Sequence, residues 1–288
     1  MIISKNQLMA LIILVLPLSS CVNGSGVDCV LSTSVIPQLL DSSGTILSDS
    51  LLDNAKAYLY LNSKFSQIVT ADSLGRYDID FSESDKTTLV VFGNMNSDSV
   101  NVSTPNKDDD ISNTSLSLLS STKGISYACP SNLFYGEYEF TSSDSKGSEK
   151  VVLDMYNKRA TLRIAINNLQ KYYGEGSNYS IVLEGFHRSL AFGGSVAGDS
   201  VTYTPTVTFN SSDELRSEAI NTLPTKTGEK VTILVYKGSD LIGQVSEDNN
   251  GNDITLSPGD DKSIVIDLLG MSLQTNSWNQ YAQKTEIY

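Results

Sequence analysis

The only histidine of this 288-residue chain, His187, is the first residue to test for chemistry. A serine or cysteine hydrolase needs a general base beside its nucleophile, and histidine is the usual base. Residues 193–197 (Gly-Gly-Ser-Val-Ala) come close to the Gly-x-Ser-x-Gly nucleophile elbow, but Ala197 stands where the last glycine belongs. The strand-to-helix setting of an elbow is also missing. The run is typical of a flexible loop, and we predict that the chain is not an enzyme.

The types and spacing of the residues give little support for a bound metal or cofactor. A zinc site needs several His or Cys ligands, and the chain has one histidine and three cysteines. Carboxylates are plentiful, so a glycosidase pair is compatible with the composition, but no pair is marked by its spacing. Residues 246–253 offer oxygens like those of a calcium loop, yet Ser246 and Ser257 stand where Asp and Glu belong. We predict a hairpin turn there, no metal and no cofactor.

Cys21 follows a segment with the pattern of a secretory signal. Residues 8–17 are almost wholly apolar, and Lys5 supplies one positive charge before them. A bilayer crossing needs roughly 20 apolar residues, so this shorter run predicts a cleaved signal peptide over residues 1–20. Leu-Ser-Ser before Cys21 resembles the lipobox of bacterial lipoproteins, which implies diacylglycerol on its sulfur and an acyl chain on its amino group. The alternative is an ordinary secretory signal beside an accidental cysteine.

The other two cysteines, Cys29 and Cys129, would follow Cys21 into an oxidising compartment. Their even number favours a disulfide between them. Such a bridge would close a loop of about 100 residues and stabilise the fold by on the order of 4–5 kcal/mol. Two unpaired thiols are the alternative.

The net charge of −13 limits the partners of the chain. Loss of residues 1–20 would remove Lys5 and bring the charge to −14. A field of this sign repels nucleic acids and anionic lipid surfaces, so we expect no nucleic-acid partner. Attachment to a membrane would then depend on lipid at Cys21, with residues 21–27 as a flexible tether.

Short strands account for most of the pattern after residue 28. In residues 76–81 the apolar side chains alternate, with Tyr77, Ile79 and Phe81 on one face, as in a half-buried strand. Turn-forming residues separate these strands, which favours sandwiches over a parallel α/β sheet. The other predicted strands are 57–61, 87–92, 150–153, 160–166, 179–183, 200–204, 230–236 and 263–266.

Helix is predicted at only two places, and one polar stretch divides the chain. Ser211 and Glu214 have capping-box spacing, which predicts a helix over 212–220, and a second helix is predicted near 48–54. Residues 141–149 are polar, and few core contacts can cross such a segment. We therefore expect an N-terminal domain over 28–145 and a C-terminal domain over 146–288.

Several stretches, in order, resemble the fimbrillin-A-associated anchor lipoproteins of the Bacteroides group. They are 89–94 (Leu-Val-Val-Phe-Gly-Asn), 129–136 (Cys-Pro-Ser-Asn-Leu-Phe-Tyr-Gly), 159–166 (Arg-Ala-Thr-Leu-Arg-Ile-Ala-Ile), 179–185 (Tyr-Ser-Ile-Val-Leu-Glu-Gly) and 203–205 (Tyr-Thr-Pro). Residues 69–79 also resemble a turn of transthyretin-like sandwiches. The resemblance implies an all-β fold of two tandem transthyretin-like β-sandwich domains with little helix.

The same resemblance implies a function. The protein would be held in the outer membrane by lipid on Cys21, exposed at the cell surface, as an anchor or accessory subunit of an adhesive fimbria. Such fimbriae assemble by strand complementation, so a fimbrial subunit would bind through a β-strand contact. A bridge between Cys29 and Cys129 would hold the first strand of this chain in its own domain, so that no donor strand could replace it.

Two questions stay open at this point. Residues 277–288, which include Trp278, could donate a strand to the next subunit or close a sheet as its edge. The alternative function is a glycan-binding surface lipoprotein of a polysaccharide-uptake system, because sugars stack on exposed aromatic rings. The candidate rings are those of Tyr135, Tyr138, Tyr172, Tyr173 and Trp278, which could equally be half-buried sheet residues.

Overall fold

The structure, a computed structural model, describes residues 30–82, 85–95, 99–102, 104–120, 127, 129–145, 150–268 and 272–277. The strands of these residues are β1 (Val30–Leu40), β2 (Lys56–Leu61), β3 (Lys64–Val69), β4 (Tyr77–Ser82), β5 (Thr87–Gly93), β6 (Val100–Val102), β7 (Ser115–Leu118), β8 (Phe134–Glu139), β9 (Val151–Asn157), β10 (Ala160–Asn167), β11 (Tyr179–Ala191), β12 (Val196–Tyr203), β13 (Val207–Phe209), β14 (Glu214–Ser217), β15 (Ile220–Thr222), β16 (Thr232–Lys237), β17 (Asp240–Val245), β18 (Asp261–Asp267) and β19 (Ser272–Ser277). The helical elements are α1 (Leu169–Tyr173) and 3-10 turns at Asp49–Leu51, Ile111–Asn113 and Ser142–Ser145. The prediction of an all-β fold with little helix is confirmed.

The first sheet has seven strands in the order β3-β2-β5-β8-β9-β1-β4. Its two end strands, β3 and β4, contact each other, so the sheet curls around one core. That core contains Tyr77, Ile79 and Phe81, the alternating residues of the predicted strand. The first strand, β1, is held on both sides, parallel to β9 and antiparallel to β4.

The middle strands of this sheet are covered on both faces. Every residue of β5 is buried, which explains why its sequence is a continuous apolar run rather than an alternating one. Leu89 and Val91 face the core inside the curl, whereas Val90 and Phe92 face a second core on the outer side. The outer core is closed by a different sheet.

Two further sheets build the rest of the molecule. One has the order β13-β14-β10-β18-β19, with β15 also pairing with β10, and the other has the order β17-β16-β11-β7-β6, with β12 also pairing with β11. Their apolar faces meet in a third core, to which β10 contributes Leu162 and Ile164 and β11 contributes Ile181 and Leu183. The two sheets therefore pack face to face as a sandwich.

Strand β11 links the two halves of the chain. Its first half pairs with β16, and its second half pairs with β7, which comes from before residue 146. Leu190 and Phe192, at the end of β11, are buried in the outer core of the first sheet. The first sheet also continues past residue 146 through β9. The division into 28–145 and 146–288 stays a prediction, and strand pairing crosses it.

The two helix predictions differ from the structure for an identifiable reason. Residues 214–217 form strand β14, so the predicted helix over 212–220 is wrong. Asn210 caps the turn instead: its side-chain Oδ1 accepts hydrogen bonds from the backbone N–H of Ser212 (2.9 Å) and of Glu214 (3.1 Å). Polar residues that cap helices also cap hairpin turns, so the spacing was ambiguous. Near 48–54 the structure has only the 3-10 turn at Asp49–Leu51.

Strand β14 begins directly after that capped turn. The sequence did not predict helix α1, because the helix is only five residues long. Within the described residues no helix is long and apolar enough to cross a bilayer.

Candidate functional site

The start of β1 marks one end of the molecule. Val30 is highly exposed and pairs with Ser82, whereas Leu40, at the other end of β1, aligns with Tyr156 of β9. Shortly after Tyr156 the chain passes into the second sandwich at Ala160. The chain therefore enters the fold at the end of the first sheet opposite to the one from which β9 leads into β10. We call this end the entry pole; Cys21, nine residues before Val30, lies outside the described residues.

The far end of the second sandwich exposes several apolar and aromatic side chains. Helix α1 follows the C-terminal end of β10. It exposes the side chains of Tyr172 and Tyr173. Leu241, the second residue of the neighbouring strand β17, is also exposed. A small apolar cavity of about 50 Å³ opens there and is lined by Ile166, Leu169, Tyr173, Val235, Ile242, Gly243, Val245, Ile266 and Leu268. We call this end the distal pole.

The disulfide between Cys29 and Cys129 stays a prediction, because Cys29 lies outside the described residues. Cys129 donates its backbone N–H to Asn221 O, beyond the Leu40 end of β1, and its thiol is buried and free.

His187 is buried in β11 and has both ring nitrogens engaged. Its Nδ1 lies 2.9 Å from the carbonyl oxygen of Gly198, and its Nε2 lies 2.7 Å from Oε2 of Glu229. The hydrogen bond from His187 is the main cause that lowers the pKa of Glu229. A ring whose two nitrogens both face acceptors of its own fold is not placed to act as a general base. It ties β11 to the segment before β16.

The glycine run near Ser195 forms a turn between two strands rather than a nucleophile elbow. Ala191 donates its N–H to Ser195 O (2.8 Å), and Gly194 donates its N–H to Ala191 O (2.9 Å). Gly194 has φ +75°, and a Cβ there would lie 2.8 Å from the ring of Tyr135. Glycine is therefore required by the turn and by the ring packed against it.

Residues 246–253 also form a turn, as the sequence predicts. Asp248 Oδ1 accepts the backbone N–H of Asn250 (2.8 Å) and of Asn252 (2.9 Å). The Lys230 ammonium lies 2.7 Å from Glu247 and 2.8 Å from Asp253. Lys230 thus pairs with two of the carboxylates of this turn.

The aromatic candidates are not brought together. Tyr135 is buried in the outer core, and Tyr138 is half-buried against Phe140. Tyr172 and Tyr173 are exposed, but neighbouring positions of a helix point about 100° apart, so their rings do not form one flat platform. Trp278 lies outside the described residues, as do residues 278–288 of the tail; Ser277 is the last residue of edge strand β19.

Sequence reasoning missed Lys158, which lies between β9 and β10. Its ammonium lies 4.7 Å from the centre of the Tyr135 ring, and burial lowers its pKa. A cleft of about 500 Å³ opens beside it and is lined by loops of the second sandwich. The sequence shows only a charged residue in a short connection, because the residues around it come from distant loops.

Known proteins share this architecture. The anchor protein Mfa2 of Porphyromonas gingivalis superposes with a TM-score of 0.62 at 14% identity, over 87% of this chain and 98% of that one. A proposed adhesin of Bacteroides ovatus gives 0.61 at 11% identity, over 86% and 96% of the two chains. A proposed polysaccharide-binding protein of Bacteroides thetaiotaomicron gives 0.62 at 13% identity, over 86% and 96%. At these identities the likeness establishes the fold.

The fold is thus the one seen in the Mfa2 anchor protein. Residues 29–284 match the family of fimbrillin-A associated anchor proteins Mfa1 and Mfa2, and the chain belongs to that family. The resemblance found in the sequence is confirmed. No curated protein matches the chain. Family membership supports a role in the cell envelope as a fimbrial anchor or adhesin associated with fimbrial subunits, and such a role is not enzymatic in kind.

Proposed function

We propose that this protein is the lipid-anchored base of a fimbria, fixed to the outer membrane through Cys21 and contacting a fimbrial subunit with the opposite end of the molecule. The observation that carries the proposal is the position of β1. The chain enters the fold at the entry pole, and the connection from β9 into β10 of the second sandwich leaves from the other end of the first sheet. A tether at the entry pole leaves the distal pole pointing away from the membrane.

The pairing of β1 supports a tether that bears load. Six residue pairs join β1 to β4, and six join it to β9. Val35 and Leu39 of β1 are buried in the core of the first sheet. A pull on residues 21–29 therefore acts on a strand held by two ladders and an apolar core, and no disulfide is needed to retain it.

The edges of the sheets supply surfaces for the subunit contact. Strand β17 ends one sheet and β19 ends another, so each offers main-chain groups on its outer side for a further strand. The apolar cavity beside β17 and the exposed Leu241 lie at the distal pole. We propose that the fimbrial subunit adds a β-strand at this end.

Co-purification from cells tests the subunit contact. The intact protein is isolated from detergent-solubilised envelopes, and the proteins that accompany it are identified by mass spectrometry. We expect fimbrial subunits with the wild type and a strong loss of them when Ile242→Lys places a charge in the apolar cavity. Val152→Lys, which places the same charge at an exposed position of β9 in the first sheet, is the control. Recovery of the same subunits with Ile242→Lys would show that the contact lies elsewhere.

A further inference from the structure

A cleft lies beside the connection between β9 of the first sheet and β10 of the second sandwich. Its walls are the turn between β11 and β12, the segment before β16, the segment before β18, and Lys158. The residues that line it are Lys158, Leu190, Gly194, Ser195, Val196, Pro224–Glu229 and Thr255–Pro258. We call it the junction cleft. Its volume of about 500 Å³ is within the range of small-ligand sites.

The loops that form the junction cleft are fixed by hydrogen bonds. Thr225 donates its backbone N–H to Leu256 O (3.0 Å), and Leu256 donates its N–H to the Thr225 hydroxyl (3.1 Å). Ser257 donates its backbone N–H to the Asp260 carboxylate (2.7 Å). On the other side, Lys158 donates its backbone N–H to Leu133 O (2.7 Å). A preformed cleft loses little conformational entropy when a ligand enters it.

Lys158 brings a positive charge to the cleft without a carboxylate partner of its own. Its ammonium lies over the Tyr135 ring, and no carboxylate oxygen among the described residues lies within 4.0 Å of its Nζ. Burial of an ammonium without a direct counter-ion is costly, so burial lowers the pKa of Lys158, and the charge of Glu137 offsets this only in part. An anion in the cleft would recover part of that cost.

The acidic side chain of the cleft is already neutralised. Glu229 Oε2 is bound by His187 (2.7 Å), and Glu229 Oε1 lies 3.4 Å from the Lys226 ammonium. The residues that line the cleft include two lysines, Lys158 and Lys226, and one carboxylate, Glu229, so the lining itself carries a net positive charge although the chain as a whole is acidic. Hydroxyl side chains at Ser195, Thr227 and Ser257 line the same space, beside Pro224 and Pro258.

We propose that the junction cleft binds a carboxylate-bearing sugar, a hexuronic acid, with its carboxylate on Lys158. The hydroxyl-lined walls take the ring hydroxyls, and the two prolines pack against the apolar face of the ring. This site is separate from both poles, and the inference does not rest on the anchor function. It also needs no stacked aromatic rings, which the described residues do not provide.

Calorimetric titration of the purified mature chain tests the proposal with three probes of the same shape. Glucuronic acid should bind, whereas glucuronamide and glucose, which lack the charge, should bind at least about tenfold more weakly, as expected for loss of a charge-assisted hydrogen bond. Equal affinity for the three, or no binding of glucuronic acid, would overturn the proposal. An N-acetylated amino acid that bound as well as glucuronic acid would overturn the sugar assignment.

Two variants then locate the site. Lys158→Met keeps the length of the side chain and should reduce the affinity for glucuronic acid at least about tenfold, whereas Lys158→Arg, which keeps the charge, should retain most of it. Lys171→Met, an exposed lysine on α1, is the matched control and should bind as the wild type does. Thermal unfolding of each variant checks the fold. A folded Lys158→Met that binds unchanged would contradict the proposal.

Discussion

Leu116 of β7 and Leu190 of β11 lie opposite each other in one antiparallel ladder, and both side chains are fully buried. These two residues are 74 positions apart in the sequence, on either side of the polar segment that suggested a domain boundary. A strand from the second half of the chain thus closes a core of the first half. The two halves should unfold together.

Leu190→Ala tests this coupling. The change removes buried methyl groups and should lower the free energy of unfolding by about 2–5 kcal/mol. Because Leu190 is shared between the halves, hydrogen-exchange protection should fall in both β5 and β10, as measured by mass spectrometry. Leu241→Ala, at an exposed position, should change the free energy by less than about 0.5 kcal/mol. Loss of protection in one half alone would show that the halves are independent.

Gly185 is required by a close backbone approach in β11. Its φ is +92°, and a Cβ there would lie 2.0 Å from the carbonyl oxygen of Lys230. Gly185→Ala must therefore displace the segment before β16, and we expect a loss of more than about 2 kcal/mol in urea unfolding. Gly44→Ala has a similar φ of +83° with no atom within 4 Å, and should cost only about 1 kcal/mol. Equal losses would contradict the close approach.

The pair of His187 and Glu229 predicts a pH-dependent contribution to stability. The folded state lowers the pKa of Glu229, chiefly through the hydrogen bond from His187. A lowered carboxyl pKa stabilises the fold above the unfolded pKa, and this is lost as the pH falls through the folded pKa. Glu229→Gln should therefore be less stable than the wild type at pH 7. Urea unfolding at a series of pH values measures the difference in the free energy of unfolding between the two proteins. This difference should become smaller once the pH falls below the ordinary pKa of a glutamate carboxyl.

A double-mutant cycle isolates that pair. In a His187→Asn background, Glu229→Gln should lose most of its effect at pH 7, because the main partner of the carboxylate is gone. An unchanged effect of Glu229→Gln in that background would place the cause of the stability elsewhere.

Cysteine reactivity tests the geometry of the first sheet. Burial raises the pKa of the Cys129 thiol to about 12, so in the folded protein it should react slowly with a thiol reagent and react quickly in urea. Without reductant, unfolding followed by alkylation should label both Cys29 and Cys129. A cross-linked pair of peptides containing these two residues would contradict the free thiol of Cys129.

Local pattern was sufficient for much of the fold and for little of the site. The alternation of Tyr77, Ile79 and Phe81 predicted one strand, and the apolar run of β5 predicted another. Both predictions were possible because the burial of consecutive residues in a strand follows a regular pattern that is visible in the sequence. The Ser211 and Glu214 spacing failed because the same polar groups cap hairpins. Lys158 and the loops around the junction cleft come together only in the folded chain, so no short pattern contains them.

Labelling with a radioactive or alkynyl fatty acid tests the central claim most directly. Cells producing the wild type, Cys21→Ser or Cys29→Ser are labelled, and the protein is isolated and fractionated between envelope and medium. We predict acyl label and envelope association for the wild type and for Cys29→Ser, with both lost in Cys21→Ser. An unlabelled wild type, or label that survives in Cys21→Ser, would contradict the account.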